Sequence, residues 1–295
     1  RRLAFSKEDI LARKLFIKWC KQINLKVKVD SIGNIFSGLQ GKINAEESIG
    51  IGSHLDTQPH GGKFDGVYGV LAGLEVIRTL KDNNIKLNKS LELINSSNEE
   101  GCRFSPPLMG SSIFAKKISI QKVNKILDKN NISIRDEIKK VFFPDVHKIK
   151  HLKLSSFLEL HIEQGPILEK KKKSIGIVTG AQGSRGIDIY IKGLDAHSGT
   201  TPMHMRKDAV LTAANFIKIF DIKAREIDKN MRATVGNIIT LPGSRNTVSG
   251  YCFFTIDIRH PDEKKLDLME YEINKIKNNL KLLYKTKITI KKIYN

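Results

Sequence analysis

The chain has 295 residues, enough for two domains with sizeable cores, and its longest apolar runs fall far short of the 18 or more that span a bilayer, so no membrane helix is expected. It carries 51 Lys and Arg against 31 Asp and Glu, a formal net charge of +20. That excess is lysine scattered among Ile and Asn, densest at 170–173, with no RNP-type aromatic motif, zinc finger or Arg-rich groove beside it, so specific nucleic-acid binding is not expected.

Residues 1–6 lack the apolar core of a signal peptide and lead straight into a helix pattern, with Ser6 and Asp9 spaced as a capping box. A period-two strand follows at 25–29, a buried strand at 48–53, a helix at 67–80 and a strand at 91–95. The lysine-rich stretch 116–153 reads as helix, and 157–162 as a further strand. Strands interleaved with helices predict an α/β layered domain whose sites gather at the carboxyl ends of its strands. The texture changes near Gln182. Ile187, Ile189 and Ile191 alternate in a strand that ends at Gly193, a helix pattern covers 205–219, and strands cover 233–241 and 251–259. Leu266, Met269, Ile273, Ile276 and Leu280 then mark an amphipathic helix, and 286–293 a final strand. This order is that of a ferredoxin-like α+β sandwich. The expected domains are therefore 1–181 and 182–293. Cys20, Cys102 and Cys252 are odd in number and widely separated, which predicts reduced thiols and a cytoplasmic setting.

The chemistry gathers at three strand ends. GSHLDTQPHGGKFDG at 52–66 places His54, Asp56 and Asp65 around a glycine-rich turn, Glu99 and Glu100 follow the strand at 91–95, and His161 belongs to LELHIEQG. Imidazole and carboxylate on short, bendable backbone suit a divalent-metal site, and a carboxylate two residues after His54 suits a partner that orients its ring. Two ions close together need a bridging carboxylate, for which Asp65 is well placed. His54 and one partner would serve one ion, and His161 or Glu100 the other. Of the adjacent pair Glu99 and Glu100, one carboxylate can bind metal while the other acts as general base toward water. A metal hydrolase is the leading reading. His60, His147, His151, His204 and His260 read as solvated or structural.

Five segments, GSHLDTQPHGGKFDGVYGVLAGLEV, NEEGCRF, LELHIEQGPILE, DAHSGTTPMHMRKDA and the stretch from GSRN to DIRHPD, together resemble the M20 metallopeptidase-like amidohydrolases. The nearest branch is the hydantoinase/carbamoylase family of N-carbamoyl-L-amino-acid hydrolases, β-ureidopropionases and allantoate amidohydrolases. The resemblance implies a zinc-peptidase-like catalytic domain joined to a ferredoxin-like lid that also dimerises. It implies two divalent ions per subunit, Zn²⁺ or Mn²⁺, with Co²⁺ or Ni²⁺ as further candidates. His54, Glu100 and His161 correspond to terminal ligands, Asp65 to the bridge, Asp56 to the carboxylate behind His54, and Glu99 to the general base. Gln164, His197, Asn246 and Arg259 correspond to substrate-contacting residues, Arg259 offering a fork for a carboxylate and His197 and Asn246 donors for an oxyanion. The implied reaction is hydrolysis of the ureido C–N bond of a small N-carbamoyl amino acid, with an allantoate amidohydrolase or aminoacylase-type enzyme as the alternative within the class. An inactive remnant that folds and dimerises is the alternative outside it. Gly186 stands where the resemblance leads one to expect a bulky aromatic, and Ser249 where it leads one to expect proline. Family chains continue past the lid and supply a last metal-binding histidine; none follows His260 here, so the C-terminal part of the catalytic domain is expected to be absent.

Overall fold

Helix α1 (Lys7–Gln22) begins where Ser6 accepts the amide of Asp9, and Asp9 reaches back to the N–H of Phe5, one residue beyond the reciprocal partner of a capping box. The computed structural model describes residues 1–43, 47–143, 147–149 and 152–294. The chain forms two compact units, Arg1–Ile175 and Gly176–Asn295. Residues 176–182, on which the expected boundary also falls, lie in no regular element.

After α1 the first unit runs through β1 (Val27–Val29), β2 (Ile35–Leu39), β3 (Glu47–His54), α2 (Val67–Asp82), β4 (Leu91–Ser96), α3 (Met109–Phe114), α4 (Ile120–Val123), α5 (Ile134–Lys139), β5 (His147–Lys148), β6 (Lys153–Leu158) and α6 (Ile167–Lys170). Its mixed sheet has the order β5-β1-β2-β4-β3-β6. β3 lies parallel to both β4 and β6, so the carboxyl ends of all three open at one edge of the sheet. Phe16 and Cys20 of α1 and Val70 and Ile77 of α2 pack with Val27, Ile35 and Leu93 of the sheet. A second cluster around Phe5, Ile32, Phe104, Met109 and Ile138 supports the segment after β4.

Two expectations are corrected here. The stretch 116–153 is not one helix. Ser119 caps α4, and Asp128 accepts the amides of Asn130 and Ile132, a side-chain turn that breaks the helix before α5. The strand expected at 157–162 is β6, Lys153–Leu158, because Lys153 to Leu158 pair with Glu47 to Ile51 and the chain leaves the sheet beyond Leu158. His151 lies outside the described residues.

The second unit contains β7 (Gly183–Lys192), β8 (Ala196–His197), α7 (Ala209–Ile227), β9 (Arg232–Leu241), β10 (Thr247–Val248), β11 (Tyr251–His260), α8 (Glu263–Leu283) and β12 (Lys287–Tyr294). The antiparallel order β12-β7-β11-β9, with two helices interleaved, is the ferredoxin-like topology. Ile187, Ile189 and Ile191 of β7 and Phe254 and Ile256 of β11 meet Phe216 and Phe220 of α7 and Met269 and Ile273 of α8. The helix expected at 205–219 starts later and ends later, because Asp208 accepts the amide of Leu211 and so caps α7, while Met203–Met205 form a single 3₁₀ turn. Ser249, in place of the expected proline, points its hydroxyl at the carbonyls of Leu241 and Tyr251 and ties the β9 and β11 ends together.

Candidate metal centre

His54 closes β3 and is 2% exposed. Its Nδ1 lies 2.8 Å from the carbonyl oxygen of Asp56, a contact that requires Nδ1–H and leaves the Nε2 lone pair free. His161, just past β6, repeats the arrangement: its Nδ1 is 2.7 Å from the carbonyl of Ile162, and its Nε2 faces Asp65 Oδ1 at 3.2 Å. Lone pair therefore faces carboxylate, acceptor against acceptor, which a cation relieves. Asp65 also accepts from Gln164 Nε2.

Glu99 and Glu100 follow β4 on backbone that Asp56 grips. The Asp56 carboxylate accepts the amides of Glu99 at 3.2 Å and Glu100 at 3.1 Å, and stands 3.9 Å from His54 Nδ1. It is the peptide carbonyl of Asp56, not its side chain, that orients the His54 ring. Glu99 Oε2 is 3.4 Å from His54 Nε2, and Glu100 accepts from Gln58 Nε2 at 2.9 Å. Ser53 Oγ holds Glu159, a further carboxylate of the same strand ends.

Among the described residues two groups bring their ligand atoms within 4.8 Å of one another: His54, Asp65 and His161, and His54, Glu99 and Glu100. Burial raises the Asp56, Glu99 and Glu100 carboxyls above their usual range, and repulsion adds to it, from Asp9 on Asp56, from Asp56, Glu100 and Glu159 on Glu99, and from Asp65 on Glu100. Burial alone would lower the His54 imidazole, but the charges of Asp56 and Glu99 outweigh it and raise it. Glu100 Oε1 is buried with no hydrogen-bond partner among the described residues. Crowded carboxylates, an orphaned carboxylate oxygen and two Nε2 lone pairs fit divalent cations. Sequence reasoning missed Gln58, Ser53 and Glu159; Gln58 lies inside the quoted DTQP segment, but nothing in its neighbours marks it as the partner of Glu100.

In the second unit His197 and Asn246 come together. Thr247 pairs with His197 across β8 and β10, and the Ser198 amide donates to the Asn246 carbonyl at 3.0 Å. His197 Nδ1 accepts the amide of Gly199, so Nε2 carries the hydrogen and is the donor. Arg206 donates to the carbonyls of Ser198 and Thr201 and pins this loop. Arg259 is not brought to them. It pairs with Ser184 and Arg232 at the far end of β11 from Tyr251, roughly 26 Å along the strand at about 3.3 Å per residue. His60 takes a hydrogen bond from Arg1, and buried His260 accepts the Asp262 amide, both outside the cluster. No helix among the described residues is long and apolar enough to cross a membrane.

The model of peptidase family M20/M25/M40 matches residues 50–290. An N-carbamoyl-L-amino-acid amidohydrolase of Rhizobium meliloti is 40% identical over 261 residues, 88% of this chain and 63% of that protein, so the chain spans less than two thirds of that relative. An allantoate amidohydrolase of Bacillus subtilis is 32% identical over 95% of this chain and 68% of its own. A crystal structure of a hydantoinase/carbamoylase family amidase from Burkholderia ambifaria superimposes with a TM-score of 0.87 at 37% identity, covering 100% of this chain and 72% of that one. The mixed α/β fold is that of these amidases. The chain belongs to peptidase family M20/M25/M40, in its hydantoinase/carbamoylase amidase branch.

Proposed function

We propose that the protein is a binuclear-metal amidohydrolase that cleaves the ureido C–N bond of N-carbamoyl amino acids. The observation that carries this reading is the pair of Nε2 atoms, on His54 and His161, each turned toward a carboxylate while its Nδ1 faces a peptide carbonyl. His54, Asp65 and His161 would hold one ion and Glu100 would serve the second, with Asp65 between them. When bound, the ions, Zn²⁺ or Mn²⁺ in this reading, polarise a carbonyl and make water more acidic.

The chain's own residues do the rest. Glu99 takes a proton from the attacking water and delivers it to the departing nitrogen. The water oxygen joins the carbonyl carbon, and the C–N bond to the amino-acid nitrogen breaks. The carbamic acid left behind splits into carbon dioxide and ammonia. Asp56 holds the Glu99 and Glu100 backbone still through these steps. Gln164 contacts substrate from the first unit, His197 and Asn246 donate to the developing oxyanion, and Arg259 takes the carboxylate.

A single copy of the second unit does not bring Arg259 to His197. We therefore propose a homodimer whose sites draw residues from both subunits, with this unit as lid and dimerisation domain. β9 supports it: it is an edge strand of its sheet, and its Ile238, Ile239 and Leu241 are 51%, 46% and 54% exposed. Two buried free thiols, Cys20 and Cys252, favour a reducing, cytoplasmic setting.

The test is a turnover panel of N-carbamoyl-β-alanine, several N-carbamoyl-L-amino acids and allantoate, with each metal added back after chelation. The reading expects an N-carbamoyl amino acid to have the highest kcat/KM. Allantoate turned over fastest would move the assignment to the allantoate branch, which the Bacillus relative favours.

A further inference from the structure

The helix-free face of the second sheet holds a set of contacts that the reading above does not use. Gly186 on β7 is the cross-strand partner of both Asp257 on β11 and Tyr294 on β12. A Cβ at position 186 would run into the Tyr294 ring, so the ring lies where a side chain of β7 would otherwise stand. β12 shifts register between Lys292 and Tyr294. From there the Tyr294 hydroxyl crosses β7 and donates to Asp257 Oδ2 at 2.7 Å. Two strand spacings, about 10 Å, separate β12 from β11, and an aromatic ring can cover that span only over a residue without a side chain. Asp257 in turn accepts from Arg259, Nε to Oδ1 at 2.8 Å and Nη2 to Oδ2 at 3.4 Å.

We propose that Tyr294 is a positioning residue for Arg259: it fixes the Asp257 carboxylate, and that carboxylate fixes the plane of the guanidinium, whose remaining edge faces the substrate carboxylate. This rests on the reading of Arg259 as the carboxylate clamp. The physical need is plain. The Arg259 side chain is 57% exposed, and an exposed ion pair two residues away on the same strand holds an arginine only weakly. A third partner restricts the pair without competing for its charge. Burial and the Asp257 charge push the Tyr294 phenol up to about 12, so it remains a donor throughout neutral pH.

Tyr294→Phe keeps the ring on Gly186 and removes only the hydroxyl, whereas Tyr294→Leu removes both. The readouts are the NMR signal of the Arg259 Nε–H and the kinetics with an N-carbamoyl amino acid. Tyr294→Phe is expected to move or broaden the Nε–H signal and raise KM about 3- to 10-fold, the loss of one charge-assisted hydrogen bond at a part-exposed site. Its kcat should stay within twofold and its Tm unchanged, and Tyr294→Leu should be no worse in KM. Gly186→Val, which evicts the ring, should move the same signal. An unchanged signal and KM in Tyr294→Phe, with an effect only in Tyr294→Leu, would reduce Tyr294 to packing and overturn the inference. A moved signal with unchanged KM upholds the positioning but removes Arg259 from the substrate, which sinks the clamp reading instead.

Discussion

Gly66 and the imidazole of His54 adjoin so closely that no side chain fits at position 66. A Cβ there would meet Nδ1, Cε1 and Nε2 of the ring, and the backbone has φ of +67°, where L side chains are strained. Gly66 also stands between Asp65 and the start of α2, so the turn that spares His54 sets the Asp65 carboxylate as well.

Gly66→Ala should therefore displace His54. The backbone at φ +67°, ψ −49° alone costs a side chain about 1–3 kcal/mol, and the expected outcome is a lowered Tm together with weakened Zn²⁺ binding by calorimetry. A variant with wild-type metal affinity would show that the ring can move aside without loss.

Glu99→Gln and Glu100→Gln should part company. If Glu99 is the base, Glu99→Gln retains metal, measured by elemental analysis after dialysis, and loses about 10²- to 10⁴-fold in kcat. Glu100→Gln, which converts a carboxylate with one orphaned oxygen to a neutral amide, should lose metal. The reverse pattern would exchange the two roles, an exchange that the 3.4 Å contact between Glu99 and His54 makes worth testing.

Much of this was legible in the chain itself, and the illegible parts share a cause. β11 alternates Cys252, Phe254, Ile256 and Ile258 toward two helices, so its period shows in the residue types. α8 likewise writes its buried stripe from Leu266 to Leu280. β6 does not: Lys153, Ser155 and Ser156 are polar, and the strand exists because β3 offers it a parallel partner. The three strand ends of the site could be read because His, Asp and Glu are chemically conspicuous. The grip of Asp56 on two peptide amides, and the short contact of Ser53 with Glu159, are made by tertiary placement that spacing along the chain does not encode.

Stability of the first unit should carry a pH signature from Asp30. Burial lifts this carboxyl from 3.8 to about 6, against the pull of its hydrogen bonds from Asn34 and Ile32. Below about pH 4 the folded and unfolded chains both hold the proton. Between about 4 and 6 only the folded chain does, so this group's contribution to stability falls as pH rises and levels off above 6. Asp30 matters to the site because it anchors Asn34, whose Oδ1 accepts the Ser97 amide just before Glu99. Urea midpoints across pH 4–7 should show a decline that Asp30→Asn flattens, even where the variant is less stable overall. Equal slopes in both proteins would mean that Asp30 titrates normally.

The separation of Arg259 from His197 yields the sharpest test of assembly. β8 and β10, which carry His197 and lead away from Asn246, form a separate two-stranded ribbon that follows the end of β7 at Lys192 and precedes the start of β11 at Tyr251. Arg259 stands eight residues further along β11. An N-carbamoyl amino acid is far shorter than the roughly 26 Å that such a strand covers, so one copy cannot hold it by both residues. If both grip the same substrate, each site takes His197 from one subunit and Arg259 from another. His197→Ala and Arg259→Ala should then each be nearly inactive alone, yet regain activity when mixed under conditions of subunit exchange. Random pairing in a two-fold dimer makes half the dimers mixed with one of two sites whole, so recovery should approach about a quarter of wild type. Subunit exchange confirmed by mass spectrometry without any recovery would mean that only one of the two residues touches substrate, and the kinetics of the single variants would then say which.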